Sequence, residues 1–178
     1  MYVFGDCSRI AETKLELDRC GMQFQNWIIW PNDWGGRSKR KWAQKHDDIL
    51  YYVKPGGEVC WHPERVQIPK KMTGAAFNPS GRTTKTPTSV WNDLAGFSTM
   101  SSERVKLGGK SVRWQKPERL IERMLLASSE PGDLVIDPFG GVATVPYVCG
   151  KLSRRCISTE IDPAVWKAGR ARLTDRQP

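Results

Sequence analysis

The sequence predicts an α/β protein whose last third is a doubly wound unit of parallel strands and helices. The first observation is the order of elements after residue 115, where helical and strand patterns alternate with short connections. The second is that the two strands there are short apolar runs, as a buried parallel sheet requires. The third is a glycine turn directly after the first of these strands, where such sheets bind ligands.

The first part of the chain contains four predicted elements followed by a long irregular stretch. Apolar runs with β-branched and aromatic residues favour strands, and a 3.6-residue period favours a helix. The elements are a strand at 1–5, a helix at 8–20 ending near Gly21, a strand at 24–30 and a strand at 49–53 closed by a turn at 54–57. Residues 55–114 show little periodicity, and we expect them to be mostly irregular.

The last third is predicted to be regular throughout. Pro117 opens a helix at its first position, and its apolar face consists of Leu120, Ile121, Met124 and Leu125. The later elements are a strand at 133–137, a glycine turn at 138–141, a helix from about 144 to 150, a strand at 155–160 and a helix opened by Pro163 with Trp166, Arg170 and Leu173 on one face.

The composition excludes several classes of protein. With 39% hydrophobic and 26% charged residues, the chain is not typical of disordered, collagen-like or coiled-coil proteins. It has no apolar run of membrane-spanning length and no signal-peptide pattern. Its 5 cysteines include no Cys-x-x-Cys pair, and only 2 histidines accompany them, which argues against a zinc site or a disulfide framework. We therefore expect one cytoplasmic domain over residues 1–178, with reduced thiols, no metal and no membrane contact.

The positive charge is concentrated in the middle of the chain. The formal net charge is +9, of which residues 31–71 carry +4 and residues 72–116 carry +5. The same segment contains five tryptophans, at positions 34, 42, 61, 91 and 114. A basic, aromatic and loop-rich region indicates contact with a polyanion, most often nucleic acid. The alternative is a solvated basic face above an ordinary core.

Within this segment, the tightest run of basic residues is the best candidate for phosphate contacts, with two further cations downstream. The predicted DNA-contacting residues are Arg37, Lys39, Arg40, Lys41, Lys45, Arg82 and Lys85.

Two carboxylates and a glycine turn mark a candidate nucleoside site at the carboxyl ends of the last two strands. Asp137 ends the first strand, and Gly140 and Gly141 let a ligand approach the backbone closely. Glu160 ends the second strand, where the ribose hydroxyls of an adenosine need a carboxylate acceptor. The turn is neither a Walker loop nor the dinucleotide G-x-G-x-x-G. Alternatively, Asp137 caps the next turn and Glu160 is a solvated strand end.

Three stretches together resemble the S-adenosylmethionine-dependent DNA amino-methyltransferases, and more narrowly their beta group, which modifies adenine N6 or cytosine N4. Residues 115–117 read Gln-Lys-Pro, residues 131–144 read PGDLVIDPFGGVAT, and residues 157–162 read ISTEID. The resemblance extends upstream over residues 21–50 and omits roughly residues 58–110, where such enzymes differ most.

This resemblance implies S-adenosylmethionine as cofactor, double-stranded DNA as substrate and a Rossmann-like methyltransferase sheet. Residues 31–114 would be the basic target-recognition insertion, and residues 115–173 the cofactor-binding region. In the family, the Gln-Lys-Pro stretch and the Asp-Pro-Phe-x-Gly turn surround the cofactor's methionine end, and the acidic residue after the second strand holds the ribose. The cofactor-binding residues so implied are Lys116, Pro117, Asp137, Pro138, Phe139, Gly141, Thr144, Glu160 and Asp162.

The chain departs from the family pattern in two places. Val142 and Ala143 stand where the family usually has Ser and Gly, so Ala143 adds a Cβ where the backbone passes the cofactor. The family's catalytic (Asp/Asn/Ser)-Pro-Pro-aromatic tetrapeptide is expected ahead of residues 1–30 and does not occur, the nearest string being Asn78-Pro79-Ser80. Its strand would lie in the middle of the sheet, so we expect an incomplete sheet with unpaired edges.

The sequence therefore predicts a DNA methyltransferase that is present as a fragment or split subunit and has no catalytic residue of its own. A second chain, or a homodimer, would supply the missing strand. Two alternatives stay open at this point. The chain is either a non-catalytic DNA-binding remnant or accessory subunit, or a basic nucleic-acid-binding module that does not use the cofactor.

Overall fold

The computed structural model describes residues 1–32, 38–71, 81–94, 101–112 and 114–175. They belong to two compact units, Met1–Gly96 and Phe97–Pro178, and the division falls inside the predicted basic insertion. No helix within these described residues is long and apolar enough to cross a membrane.

The first unit is built on a three-stranded antiparallel sheet. Its elements are β1 (Tyr2–Gly5), α1 (Ile10–Arg19), β2 (Gln23–Pro31), β3 (His46–Val53), β4 (Ile68–Pro69) and β5 (Thr84–Lys85), with short 3-10 helices at Pro63–Val66 and Asn92–Leu94. Strand β3 lies between β1 and β2, and β4 pairs with β5. The strand predicted at 49–53 begins three residues earlier, because β2 is long enough to pair with His46, Asp47 and Asp48.

The core of this unit joins α1 to the central strand. Ile10, Leu50 and Tyr52 are buried together. The Tyr52 hydroxyl donates a hydrogen bond of 2.6 Å to Asp18 Oδ1 on α1. Burial and this carboxylate raise the pKa of Tyr52 to about 12. Trp27 on β2 donates from Nε1 to Asp48 Oδ1 at 2.7 Å, so polar groups beside the core are paired.

The second unit confirms the predicted alternation of helices and parallel strands. Its elements are β6 (Lys106–Leu107), β7 (Lys110–Ser111), α2 (Glu118–Ser128), β8 (Leu134–Asp137), α3 (Thr144–Lys151), β9 (Arg155–Ser158) and α4 (Pro163–Asp175). Strands β8 and β9 are parallel, with Asp137 opposite Ser158. Pro117 has extended backbone and precedes α2 as its N-cap residue, so the helix begins one residue later than predicted.

A buried arginine ties the three helices of this unit together. Arg172 on α4 forms a 2.8 Å ion pair with Glu118 on α2. It also donates to Thr144 Oγ1 at 2.9 Å and to the Val142 carbonyl at 3.3 Å. Lys151 on α3 lies 3.6 Å from the other Glu118 oxygen. A buried arginine is tolerated because carboxylate, hydroxyl and carbonyl acceptors surround it.

Trp166 and Arg170 share one face of α4, as the sequence predicts, and the structure shows that this face is the outer one. The buried residues are Val165, Gly169 and Arg172, whereas Trp166 and Arg170 are exposed. The Arg170 guanidinium lies 5.0 Å from the Trp166 ring centroid on the outer face. Arg172 lies on the inner face, where it pairs with the Glu118 carboxylate.

One face of the parallel pair is apolar and exposed. Leu134, Ile136 and Ile157 point to this face, and Ile136 is 68% exposed. Among the described residues, β8 and β9 have no hydrogen-bonded neighbour other than each other. Parallel sheets are normally covered on both faces, so this pair has the character of a partial sheet.

Candidate functional site

The carboxyl ends of β8 and β9 bring the predicted carboxylates together. Asp137 ends β8, and its Oδ1 accepts a 3.2 Å hydrogen bond from the backbone N–H of Phe139. Burial raises the pKa of the Asp137 carboxyl, the Phe139 N–H opposes this shift, and the negative charge of Glu160 adds to it. Asp137 therefore resists ionisation, and a positively charged ligand beside it would favour its charged form.

The turn after β8 passes close to the start of the segment after β9. The Gly140 N–H donates to the Thr159 carbonyl at 2.7 Å. A Cβ at Gly140 would overlap Ser158 Oγ and lie 3.2 Å from the Thr159 carbonyl oxygen, so any larger residue would require Ser158 and the backbone to shift. Gly141 has φ +53°, a left-handed conformation that also favours glycine. The glycine turn predicted at 138–141 is thus required by close approach and by backbone conformation.

Glu160 is held in place by two backbone donors. Its Oε2 accepts a 2.8 Å hydrogen bond from the Gly141 N–H, and its Oε1 accepts one of 2.9 Å from the Asp162 N–H. A carboxylate has about four acceptor sites, so both oxygens keep capacity for a diol. Glu160 is half-buried and bonded to the glycine turn, and the Phe139 N–H bond to Asp137 is the turn cap that the sequence left as an alternative.

Trp114 is a residue of this site that the sequence reasoning did not select. Its indole Cδ1 and Nε1 lie 4.0 Å from the position a Cβ would take on Gly141. The ring is 61% exposed even though it lies against the turn. The turn is thus bordered by Glu160 on one side and an open aromatic face on another. The sequence feature that could have identified Trp114 as a site residue is its position directly before the Gln-Lys-Pro stretch.

The other predicted cofactor residues have varied surroundings. Pro138 and Phe139 are exposed on the turn, and Phe139 is 88% exposed. Lys116 is half-buried and Pro117 is buried before α2. Thr144 is buried beneath the turn, with its hydroxyl occupied by Arg172.

Asp162 acts as the N-cap of α4 in this structure. Its Oδ1 accepts hydrogen bonds from the backbone N–H groups of Ala164 at 2.8 Å and Val165 at 3.3 Å. This satisfies two of the donors that a helix start leaves unpaired. Any contact of Asp162 with a cofactor stays a prediction.

The family resemblance led us to expect the Ala143 Cβ on the side of the turn that faces the cofactor. In the structure this Cβ does not point to the exposed side of the turn. The residue is buried and has φ 60°, an uncommon conformation for alanine. A Cβ built on Gly169 of α4 would lie 3.1 Å from the Ala143 Cβ, so this methyl group packs against α4. Val142 is buried with Val112 and Val165 in the core of the unit. Both departures are therefore accommodated inside the fold.

Three predicted DNA-contacting residues of the first unit, Lys39, Arg40 and Lys41, are exposed, and we call them the basic cluster. The backbone N–H groups of Arg40 and Lys41 lie 3.4 and 3.1 Å from Ser38 Oγ. Trp42 follows directly and is 97% exposed. Cations beside an open aromatic ring can contact phosphates and stack on a base. This tryptophan does not belong to the ordinary core that the sequence left as an alternative.

The remaining basic candidates are more dispersed. Lys45 is half-buried, and its carbonyl accepts a 2.8 Å hydrogen bond from the Asn32 N–H. Arg82 and Lys85 are exposed, the latter on β5. Arg37, and the string Asn78-Pro79-Ser80, lie outside the described residues.

Comparison with known proteins identifies the family. The family model described as DNA methylase (N6_N4_Mtase) matches residues 1–169. The chain belongs to this family. The Type II methyltransferase M.HpaI of Haemophilus parainfluenzae is 35% identical over 159 residues, which are 89% of this chain and 48% of that protein. The Type II methyltransferase M1.MboII of Moraxella bovis is 32% identical over 183 residues, covering 91% of this chain and 67% of that protein.

Solved structures agree with the fold. The crystal structure of the M1.HpyAVI–SAM complex superposes with a TM-score of 0.70 at 21% identity, covering 97% of this chain and 73% of that chain. The predicted family and the predicted incomplete methyltransferase-like α/β fold are therefore confirmed. The chain spans between about half and two thirds of the length of these curated relatives.

Proposed function

We propose that this chain is the cofactor-binding and target-recognition part of a DNA amino-methyltransferase. The reaction would move the methyl group of S-adenosylmethionine to an exocyclic amine of adenine or cytosine in double-stranded DNA. The observation that carries the proposal is the Glu160 carboxylate, held by two backbone N–H groups beside a glycine turn, in a chain of the DNA methylase family. M1.HpyAVI, which shares the fold, forms a crystalline complex with SAM, and this supports the same cofactor here.

The residues present fit S-adenosylmethionine. The unused acceptor sites of Glu160 suit the two ribose hydroxyls, because a carboxylate accepts two such bonds in bidentate fashion. Gly141 leaves room for a ligand to approach its backbone, and the nearby indole of Trp114 offers an aromatic face. When bound, the cofactor supplies an electrophilic methyl group on a positively charged sulfonium. Asp137 would contribute a compensating negative charge, because a nearby cation favours its ionised form.

We assign no catalytic role to the residues of this chain. In the family, the catalytic tetrapeptide holds the flipped-out base, and alignment of its amine with the methyl group can contribute about 7–11 kcal/mol to lowering the barrier. We propose that this tetrapeptide comes from a further polypeptide segment, of the same protein or of a second chain. The exposed apolar face of β8 and β9 supports this proposal, since a strand added at the sheet edge would bring a connecting helix that buries Leu134, Ile136 and Ile157.

The experiment that tests the cofactor assignment is calorimetry of S-adenosylmethionine binding to the parent chain and to Glu160→Ala. Loss of the hydroxyl–carboxylate bonds should weaken binding by about 1–3 kcal/mol. The matched control is Glu122→Ala, which removes a half-buried carboxylate from α2, away from the turn. We expect Glu122→Ala to bind like the parent.

Equal affinity of the parent and the Glu160→Ala variant would refute the assignment. Because Glu160 also accepts bonds from Gly141 and Asp162, the urea unfolding midpoint of each variant is measured alongside. A variant that stays folded under the binding conditions but has lost affinity supports the proposal.

A further inference from the structure

A cysteine, a histidine and a glutamate form a relay in the first unit, apart from the candidate cofactor site and the basic cluster. The Sγ atom of Cys60 lies 3.2 Å from His62 Nε2. On the other side of the imidazole ring, His62 Nδ1 lies 3.3 Å from Glu64 Oε1. Cys60 and His62 are half-buried and Glu64 is exposed, so the thiol is reachable from solvent.

This order of groups is the one that activates a thiol. A carboxylate at Nδ1 favours the tautomer with its proton on that nitrogen and stabilises the imidazolium form. Nε2 is then available to take the thiol proton, and a thiolate beside an imidazolium is a strong nucleophile at neutral pH. We propose that Cys60 is an activated thiol and a modification site for soft electrophiles and hydroperoxides.

The surroundings of the pair are compatible with this role. Charged and titratable neighbours of the pair include Glu64 and Arg65 on the 3-10 helix and Tyr51 on β3. Arg65 Nε lies 3.6 Å from the same Glu64 oxygen that faces His62. Burial raises the pKa of Tyr51, and the nearby Cys60 adds to this shift, so the phenol stays neutral and contributes no competing negative charge at neutral pH.

The other cysteines lack this arrangement. All 5 cysteines are among the described residues, and none is in a disulfide. Cys7 and Cys20 are exposed, and each is distant in sequence from both histidines, at positions 46 and 62, although the fold brings β1 beside β3. Contact between Cys149 and Cys156 lowers the pKa of the Cys149 thiol and raises that of Cys156, but Cys149 is buried and so is not reachable by reagents. No group of three or more metal-ligating side chains within the described part of the chain could hold a metal ion.

The residues of this relay can supply every proton that the reaction with a hydroperoxide requires. Cys60 first transfers its proton to His62 Nε2. The thiolate then attacks the terminal peroxide oxygen, so that an S–O bond forms and the O–O bond breaks. The sulfur is oxidised by two electrons to a sulfenic acid, and the peroxide is reduced. The leaving alkoxide or hydroxide takes the proton from the His62 imidazolium and departs as an alcohol or water.

The test measures the rate of alkylation by iodoacetamide at each cysteine by mass spectrometry at pH 6 and pH 9. For an ordinary thiol with a pKa of about 8.5, the rate should fall roughly 200-fold between pH 9 and pH 6. Cys7 and Cys20, which are both exposed, are measured for comparison in the same molecule. For Cys60 the fall should be less than about 30-fold, because its thiolate should persist to lower pH. Taking the ratio for each cysteine removes differences in accessibility.

Two variants separate activation from exposure. In His62→Gln, the fall at Cys60 should return to roughly 200-fold, because no base faces the thiol. In Glu64→Gln, it should lie between that value and the parent's. Two results would overturn the proposal. One is a ratio of alkylation rates at pH 9 and pH 6 that is the same for Cys60 as for Cys7 in the parent, and the other is a His62→Gln variant in which the ratio for Cys60 is unchanged. The parent comparison stands even where a variant fails to fold. As a second readout, hydrogen peroxide followed by a sulfenic-acid-trapping diketone should label Cys60 before Cys7 or Cys20.

Discussion

Packing of α4 against the glycine turn predicts opposite effects for alanine at two helical glycines. Gly169 lies in α4, and a Cβ there would be 3.1 Å from the Ala143 Cβ and 3.2 Å from both the Gly141 carbonyl oxygen and the Val142 carbonyl carbon. Two of these three atoms are backbone, so they can yield only if the turn moves. Gly150 lies in the last turn of α3, and a Cβ there would meet nothing within 4 Å.

The magnitudes follow from two opposing terms. Alanine in place of glycine in a helix stabilises by up to about 1 kcal/mol at either site, less near a helix end. At Gly169, overpacking against the turn costs about 1–3 kcal/mol. Gly150→Ala should therefore stabilise the protein slightly, and Gly169→Ala should be neutral or destabilising by up to about 2 kcal/mol. The difference between the variants, about 1–3 kcal/mol, isolates the packing term because the helix term is nearly common to both.

Urea unfolding of the parent and both variants gives these free energies, provided that the m-values agree. Displacement of the turn should also weaken S-adenosylmethionine binding in Gly169→Ala but leave it unchanged in Gly150→Ala. Equal stabilisation of the protein by the two substitutions would refute the argument, because it would mean that α4 does not press on the turn.

Three further predictions concern charge. Replacing all three residues of the basic cluster by alanine should reduce the slope of log K against log salt for duplex DNA by up to about 2.7, at about 0.9 for each phosphate contact. The control variant carries alanine at Arg9 and Arg19, which are exposed and paired with acidic neighbours, and it should keep the parent's slope. A basic-cluster variant that also keeps the parent's slope would show that the cluster does not contact DNA. Because burial raises the folded-state pKa of Asp137 above its ordinary 3.8, its contribution to stability is full below that value and is lost as the pH rises through the folded pKa. Asp137→Asn should therefore gain stability relative to the parent as the pH rises above about 4 in urea unfolding, and a difference that does not change with pH would contradict this. Arg172→Met should destabilise the protein by about 3–5 kcal/mol in the same assay, because it leaves Glu118 buried without its closest cation, and a loss below about 1 kcal/mol would contradict the buried pair.

Local chemistry was sufficient to predict most of the regular elements. The apolar face of α2 is buried as predicted, because Leu120, Ile121, Met124 and Leu125 repeat with the helical period. The glycine turn and its two carboxylates were recognisable because strand ends, close backbone approach and diol binding each demand particular residue types. The family followed from these stretches together, and the matching family model covers residues 1–169.

Tertiary contacts decided what the sequence pattern could not. The inner face of α4 depends on Glu118, which is 54 residues away from Arg172 in the chain and supplies the charge that makes a buried arginine favourable. The position of Trp114 against Gly141, and the packing of the Ala143 methyl group on Gly169, arise from segments that meet only after folding. The hydrophobic period of a segment shows which of its side chains favour an apolar environment. Whether a particular charge is buried or a particular ring is exposed depends on partners that are distant in sequence. By itself the sequence therefore determined the elements, the glycine turn and the family, and only the folded chain decided which side chains border the candidate cofactor site.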